Sequence, residues 1–226
     1  MEQRVFEHAE IDIGYQDLDT DTTSDRRLYV APDGTKYPSV TTVLSIINEA
    51  AIAAWRKRVG EDEANRVGTR AAGRGTAVHA IIERYLKNED TSEYLPHIKQ
   101  SLENLRPILD GRIGRIFGLE VALYSEHLGM AGRVDCVAEF DGVPSIIDFK
   151  TSRYPKQKEK ISNYFAQASA YAIMFEERTG LAIPNTVILM DVDDHGPIVF
   201  KEHRDNYVDL LWETKAEYDR RKLFSH

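Results

Sequence analysis

The sequence predicts an α/β protein, because stretches with strand periodicity and stretches with helical periodicity follow one another along the chain. Strand-like alternation is concentrated in the second half, in GLEVALYSEHLGM, GRVDCVAEFDGVPSIIDFK, IPNTVILMDVDD and GPIVFKEH. Apolar residues at helical spacing occupy much of the first half and recur in ISNYFAQASAYAIMFEERTG. The order of these segments indicates one sheet-forming region with helices before, within and after it.

Composition places the chain among ordinary soluble proteins and sets limits on its partners. The 226 residues are 42% hydrophobic and 29% charged, with a formal net charge of -8. This charge argues against nonspecific coating of nucleic acid but allows local basic patches. No apolar run is long enough to span a membrane, and the acidic N-terminus does not resemble a secretory or transit signal. We therefore expect a cytoplasmic protein with no membrane partner, in the host cytoplasm if the protein is phage-encoded.

A hairpin between Gly132 and Lys150 is the most informative stretch. Asp141 and Gly142 lie between two alternating runs, and both types tolerate the positive φ of a two-residue turn. With that turn Asp135 faces Asp148 at a non-hydrogen-bonded pair, where Cβ atoms are roughly 4.5–5.5 Å apart. A longer turn would shift this register, so the facing of the two acids depends on the turn length.

Opposed carboxylates repel each other, and a bound divalent cation would remove that repulsion. Lys150 follows Asp148 by two residues and therefore projects from the same face, whereas Phe149 points to the apolar layer. The same strand pattern also fits an ordinary solvated surface, which alternates charged and apolar residues as a matter of course. From the hairpin alone a metal site and a plain surface strand are about equally good interpretations.

The helical first half adds a histidine and two arginines. We expect Gly73 and Gly75 to interrupt the helical pattern, with a helix restarting near Thr76. His79 then lies beside the buried stripe of that helix, where a plain core-margin histidine is the commoner interpretation. Arg70 and Arg74 precede the restart, and free backbone N–H groups there would favour a phosphate contact.

The region after Lys150 supplies positive charge and aromatic rings. The loop TSRYPKQKEK carries four cations against one acid, and the helix that follows carries Tyr164, Gln167 and Tyr171 on one flank.

We expect one domain, divided into an N-terminal arm (1–36), a mainly helical part (37–114), the sheet core (115–204) and a C-terminal helix (205–226). Cys136 is the single cysteine, so an intrachain disulfide is excluded. We expect Cys136 to pack in the core as a small hydrophobic residue.

Taken in order, RGTAVH, GRVD, IIDFK and the helix with Gln167 and Tyr171 resemble the PD-(D/E)XK nuclease superfamily, in particular its RecB-like exonuclease branch. The segment YPSVTTVLS, with Trp55 downstream, is similar to the mitochondrial genome maintenance exonuclease group and its phage relatives. The resemblance covers roughly residues 37 to 175. It implies a mixed central sheet flanked by helices, a restriction-endonuclease-like core with an N-terminal helical extension.

The resemblance also implies roles for individual residues. The implied ligands of Mg²⁺ or Mn²⁺ are His79, Asp135, Asp148 and the backbone carbonyl of Phe149, and Glu120 matches an acid that assists in some members. Lys150 would orient or deprotonate the attacking water, with Gln167 and Tyr171 holding the lysine and the DNA backbone. Some relatives carry an iron–sulfur cluster, which a single cysteine cannot support.

These observations predict a metal-dependent DNA exonuclease that hydrolyses phosphodiester bonds from DNA ends and favours single strands. The DNA-contacting candidates are cations and aromatic residues around the acidic site: Arg70, Arg74, Arg153, Tyr154, Lys156, Lys158 and Tyr164. Two alternatives stay open, namely an inactive nuclease-fold protein that binds DNA ends or a partner, and a structure-selective endonuclease. Retention of both acids and Lys150 disfavours the inactive alternative.

Overall fold

The computed structural model of the protein describes residues 4–21 and 28–224. The helices are α1 (Val40–Val59), α2 (Glu61–Leu86), α3 (Pro96–Arg112), α4 (Ser162–Thr179) and α5 (Val208–Leu223). The strands are β1 (Asp19–Asp21), β2 (Leu28–Val30), β3 (Lys36–Pro38), β4 (Ile113–Ser125), β5 (Met130–Phe140), β6 (Val143–Ser152), β7 (Asn185–Val192) and β8 (Gly196–His203). Among the described helices, none is long and apolar enough to cross a membrane.

The central sheet has five strands in the order β4-β5-β6-β7-β8. The β6–β7 pair is parallel, with α4 as its crossover, and the other pairs are antiparallel. One apolar cluster packs α1, α4 and α5 against one face of the sheet, and a second packs α3 and the C-terminal half of α2 against the other. The predicted α/β class is therefore confirmed as a mixed sheet between two helical layers.

The β5–β6 hairpin has the predicted two-residue turn. Asp141 and Gly142 have φ of 54° and 78°, and Phe140 pairs with Val143 directly across the turn. The ladder continues in the predicted register as far as the pair of Cys136 and Ile147. Cys136 is fully buried, as predicted for a small hydrophobe.

Helix α2 is continuous, so the predicted interruption at Gly73 and Gly75 is wrong. Each helical glycine costs about 1 kcal/mol relative to alanine, but alanine and arginine neighbours favour the helix and carry it through. The continuous helix has no start after Arg70 and Arg74, so the free N–H groups that were expected to favour a phosphate contact are absent there. The assignment of the two arginines as DNA contacts stays a prediction.

The N-terminal arm covers an edge of the sheet. The segment around His8 forms a parallel bridge to Ile116 of β4, which satisfies backbone groups on an otherwise open edge strand. The small sheet of β1, β2 and β3 follows, with a turn between β2 and β3 at Gly34, whose φ is 87°. Ser39 caps α1. Parts of the predicted arm and C-terminal helix, residues 1–3, 22–27 and 225–226, lie outside the described residues.

Candidate active site

An open cavity of about 450 Å³ lies where α1 begins, beside the middle of α2 and the flank of α4. Its floor is formed by β4 and β5. The residues that surround it are Tyr29, Ser39, Thr41, Gly75, Thr76, His79, Ala80, Glu83, Glu120, Gly132, Arg133, Asp135, Gln167 and Tyr171. Five of the residues predicted from the sequence therefore meet in one cleft: His79, Glu120, Asp135, Gln167 and Tyr171.

Three of these residues converge closely enough to share one metal ion. His79, Glu120 and Asp135 each offer a ligand atom, and the three atoms lie within 4.8 Å of one another. They come from three elements, α2, β4 and β5, so only the folded chain brings them together. His79 and Glu120 enter this group from outside the hairpin on which the sequence-based site was centred.

The Asp135 carboxylate occupies the point at which the hairpin ladder opens. Its Oδ2 accepts a hydrogen bond from the Phe149 N–H at 2.9 Å, and its Oδ1 lies 3.4 Å from Nδ1 of His79. Burial alone would raise the pKa of Asp135, but the contacts with His79, the charge of Lys150 and the Phe149 N–H together hold that pKa below its usual range. Asp135 is therefore held ionised and faces the histidine.

Glu120 reaches the cluster through an unusual backbone conformation. It lies opposite Asp135 in the β4–β5 register and has a φ of 51°, a left-handed value that non-glycine residues rarely adopt. Burial, together with the charges of Asp135 and Glu83, raises the pKa of Glu120 to about 7. A conformation that costs about 1–3 kcal/mol and directs an acid at other acids is typical of a functional site.

Arg133 holds this conformation from the adjacent strand. Its guanidinium donates to the Glu120 carbonyl oxygen at 2.5 Å and to Oδ1 of Asp17 at 2.6 Å. The N-terminal arm is thereby tied to the backbone of a candidate metal ligand. Sequence reasoning missed Arg133 as a site residue, although its spacing from Asp135 by two strand residues puts both on one face.

Asp148 and Lys150 form a separate buried pair beside the three-residue cluster. Lys150 Nζ lies 2.5 Å from Asp148 Oδ2, in an ion pair whose two side chains are 20% and 3% exposed. Burial, opposed by Lys150 and reinforced by Asp135, raises the pKa of Asp148 to about 6. Phe149 points into the opposite apolar layer, as the strand parity predicts.

Gln167 and Tyr171 close the cleft from α4. The Gln167 amide lies 3.4 Å from the Tyr171 hydroxyl group, one helical turn away. A side chain at Gly132 would come within 2.8 Å of the tyrosine ring, so glycine is required there for the ring to reach the cleft. The glycine of GRVD therefore has a packing reason next to the acid of the same motif.

A second cavity, of about 300 Å³, is bordered by arginines of α2 and by the segment after β6. Arg66, Arg70 and Arg74 recur every four residues along one helix face, and Arg153 borders the cavity from the other side. Arg74 is engaged by the buried Asp191 at 3.2 Å and by Asp193. The arginines thus share one cavity, in which carboxylates already offset the charge of Arg74.

The other predicted DNA contacts differ in their surroundings. Tyr154 is 66% exposed, with the Arg153 guanidinium 5.4 Å from its ring centroid. Lys156 Nζ donates to the Tyr164 hydroxyl group at 3.0 Å, and Lys158 is paired with Glu202 at 2.5 Å. Their assignment as DNA contacts stays a prediction.

Residues 97–218 match the PD-(D/E)XK nuclease superfamily, more than half of the chain. The chain belongs to this superfamily. The matched region contains the acids and the lysine of the hairpin, and the mixed sheet between helices is the core that the sequence resemblance implied. His79 lies before the matched region.

Two relatives narrow the comparison. Over 130 residues the chain is 32% identical to mitochondrial genome maintenance exonuclease 1 of Homo sapiens and 30% identical to the Mus musculus protein. The aligned part is 53% of this chain but 38% of each relative, so the match spans less than two fifths of their length. A solved structure of a candidate exonuclease from Eubacterium rectale superposes with a TM-score of 0.46 at 14% identity, covering 66% of each chain.

The site residues of this PD-(D/E)XK chain fit a divalent cation. An imidazole nitrogen and two carboxylates are hard-to-borderline donors of the kind that Mg²⁺ and Mn²⁺ accept. Burial and the charge of Asp135 raise the pKa of the neighbouring Asp148 to about 6 although Lys150 opposes the shift, which reflects negative charge clustered at this site. The raised pKa of Glu120 likewise reflects clustered negative charge that a cation would offset.

His79→Ala is expected to raise the Mn²⁺ concentration needed for half-maximal cleavage by roughly 10–100-fold. Imidazole favours Mn²⁺ over Mg²⁺ because nitrogen is a softer ligand than oxygen. The helix should persist, since alanine is the better helix former. The measurement is cleavage rate against metal concentration, with His97→Ala on α3 as the matched control. An unchanged metal dependence would return His79 to the role of a core-margin histidine.

Arg133→Ala is expected to weaken Mn²⁺ binding to the DNA-free protein by roughly tenfold, because Glu120 loses the contact that holds its left-handed backbone. Titration calorimetry measures this directly. Arg115→Ala is the matched control, since Arg115 also ties β4 to the arm, through Glu7 at 3.3 Å. Equal effects of the two substitutions would show that only arm attachment matters.

Proposed function

We propose that the protein is a metal-dependent deoxyribonuclease that removes nucleotides from DNA ends and favours single-stranded DNA. The observation that carries this proposal is the convergence of His79, Glu120 and Asp135 within 4.8 Å, next to the buried pair of Asp148 and Lys150. Superfamily membership supports phosphodiester hydrolysis as the reaction, and the names of the two mammalian relatives support action at ends.

Each residue has a role that follows from its surroundings. We assign Asp135 and Asp148, with His79, Glu120 and the Phe149 carbonyl, to metal binding. Burial would lower the pKa of Lys150, but Asp148 and Asp135 outweigh it and raise that pKa above its ordinary value. Lys150 is therefore a cation that offsets phosphate charge and orients the attacking water, and Gln167 and Tyr171 position the DNA backbone.

A divalent cation, when bound, lowers the pKa of water and offsets negative charge on the phosphate. The protein's own contribution is to hold two ionisable acids and a lysine in a partly enclosed cleft, where electrostatic interactions are stronger than in bulk water. Asp148 is 2% exposed, so its interaction with a cation or with Lys150 is only weakly screened.

DNA must approach an acidic site on a protein whose formal net charge is -8. The arginine cavity of α2 and the basic segment after β6 supply local positive charge beside that site. Such attraction weakens as salt rises, because binding releases counterions from the DNA. A single strand has unpaired bases that stack on aromatic rings, and the exposed Tyr154 is suited to this.

The proposal is tested with end-labelled and circular forms of single- and double-stranded DNA, incubated with Mg²⁺, Mn²⁺ or EDTA. We expect mononucleotides or short products from linear single strands, slower cleavage of linear duplexes, and no product in EDTA. Cleavage of closed circles would instead identify an endonuclease. Binding of DNA ends without any cleavage would identify the inactive nuclease-fold alternative.

A further inference from the structure

We infer that a cavity on the α1 side of Lys150 binds one unpaired nucleobase of the DNA strand. The inference rests on the proposed function, because it assigns a base-binding subsite to the same substrate. The cavity has a volume of about 330 Å³ and lies between α1 and α4. Its wall consists of Thr41, Leu44, Ser45, Asn48, Ile52, Lys150, Asn163, Tyr164 and Gln167.

The position of this cavity makes it accessible to a strand in the active site. It shares Thr41 and Gln167 with the cleft that holds the metal-ligand cluster. Lys150 contributes to its wall while its ammonium group pairs with Asp148. A nucleotide next to the one whose phosphate contacts Lys150 can therefore direct its base into this space.

The chemistry of the wall suits a base better than a phosphate. Apart from Lys150, every residue of the wall is uncharged. The cavity on the α2 side is bordered instead by four arginines, Arg66, Arg70, Arg74 and Arg153, against one carboxylate, that of Asp193. Phosphates are favoured on the arginine side by charge. The bases of the same strand are then directed to the uncharged side.

Two amides in the wall have hydrogen-bonding groups to offer. Within the part of the chain that the structure describes, neither Asn48 nor Asn163 forms a side-chain hydrogen bond, and both are half-buried. Asparagine presents a donor and an acceptor on one side chain and can pair with base edges. Unpaired bases in single strands expose the Watson–Crick edges that such amides recognise.

Aliphatic side chains supply the faces against which a flat base can pack. Leu44 forms a buried part of the wall, whereas Ile52 is 49% exposed on α1. The Tyr164 ring is contacted by the Lys150 and Lys156 ammonium groups, at 5.1 and 5.2 Å from its centroid. We therefore assign base packing to Leu44 and Ile52, and hydrogen bonding to the two asparagines.

The test uses fluorescence anisotropy in EDTA with a set of single-stranded oligonucleotides that share one end. Each oligonucleotide carries one abasic nucleotide at a different distance from that end. For the parent protein we expect one position at which the missing base weakens binding by about tenfold. The variants Asn163→Leu, Asn48→Leu and Ile52→Ala should bind the intact strand more weakly and lose the abasic penalty at that position.

Leucine at the asparagine positions keeps the volume of the amide and removes its polar atoms, so a loss of binding reports hydrogen bonding. Leu95→Ala is the matched control for Ile52→Ala, because Leu95 is 63% exposed and lies at the start of α3, outside both cavities. The control should retain the full abasic penalty. Circular dichroism of all variants checks that α1 and α4 remain folded.

Two results would overturn the inference: equal binding of all abasic strands by the parent, or an abasic penalty that survives in every cavity variant. Failure of the proposed function gives a different result, namely no cleavage by the parent with Mg²⁺ or Mn²⁺. A penalty that disappears in the variants supports the base pocket even if cleavage is absent. Cleavage together with a flat abasic scan would leave the nuclease intact and exclude the pocket.

Discussion

Asp148→Asn is expected to reduce cleavage by more than about a hundredfold, since even residues that only orient metal ligands cost roughly 10–100-fold when mutated. The fold should be retained, because the amide has the same shape as the acid. The pKa of Asp148 is raised from 3.8 to about 6 by burial and by Asp135. Its ionisation therefore destabilises the folded state progressively as pH rises from about 4 to about 6.

The asparagine carries no such cost, so the metal-free variant should melt at the same or a higher temperature than the parent near neutral pH. Around pH 4 the parent's Asp148 is largely protonated, and the advantage of the variant should disappear. Melting at the two pH values in EDTA measures this. A large loss of stability at neutral pH would mean that the Asp148–Lys150 ion pair holds the fold together.

Asp135→Asn should reduce cleavage as strongly as Asp148→Asn does. Unlike Asp148→Asn, it should lower the melting temperature of the metal-free protein at neutral pH. The pKa of Asp135 is held below its usual range, with His79 and Lys150 outweighing burial, so its charge stabilises the folded protein at neutral pH. Its amide still accepts from the Phe149 N–H but loses the charge attraction. Asp194→Asn, an exposed turn residue with φ of 56°, is the control for loss of one negative charge, because asparagine tolerates that conformation.

The hairpin was predictable because its determinants are local. Two turn residues with positive φ fix the register, and strand parity then separates Asp148 and Lys150 from Phe149. The ladder ends at the pair of Cys136 and Ile147. Asp135 lies one residue beyond it, so the turn no longer determines where its side chain lies. The Asp135 carboxylate accepts the hydrogen bond of the Phe149 N–H, where a backbone carbonyl group would accept it in a regular ladder. No turn rule predicts this contact.

Contacts between distant parts of the chain were the least predictable. Glu120 reaches the ligand cluster because its own backbone is left-handed. The alternating strand pattern predicts ordinary extended backbone at this position. Arg133 depends on Asp17, which lies 116 residues earlier. The continuity of α2 was missed because glycine is only a weak indicator of a helix end. A glycine within a helix costs about 1 kcal/mol relative to alanine, which is smaller than the gain from packing α2 on the sheet.

Lys150→Ala is expected to lower turnover by roughly 10²–10⁴-fold, the range for loss of a positioned acid–base group. Its ammonium group lies 2.5 Å from Asp148 and is only 20% exposed, so solvent cannot replace its charge at the phosphate. Metal binding should persist, because His79, Glu120 and Asp135 remain in place. The measurement is single-turnover cleavage at saturating Mn²⁺, together with calorimetric titration of Mn²⁺ into the DNA-free variant.

Lys150→Met separates the charge from the shape of the side chain, since methionine keeps most of the aliphatic stem. It should be as slow as the alanine variant if the ammonium group acts on the phosphate or the water. Lys222→Ala removes an exposed lysine at the end of α5 and serves as the control for net charge. Activity within a few-fold of the parent in both Lys150 variants would limit the lysine to pairing with Asp148. Slow turnover with unchanged Mn²⁺ affinity would assign Lys150 to the chemical step. Loss of a residue that only helps to hold the metal would lower both the turnover and the Mn²⁺ affinity.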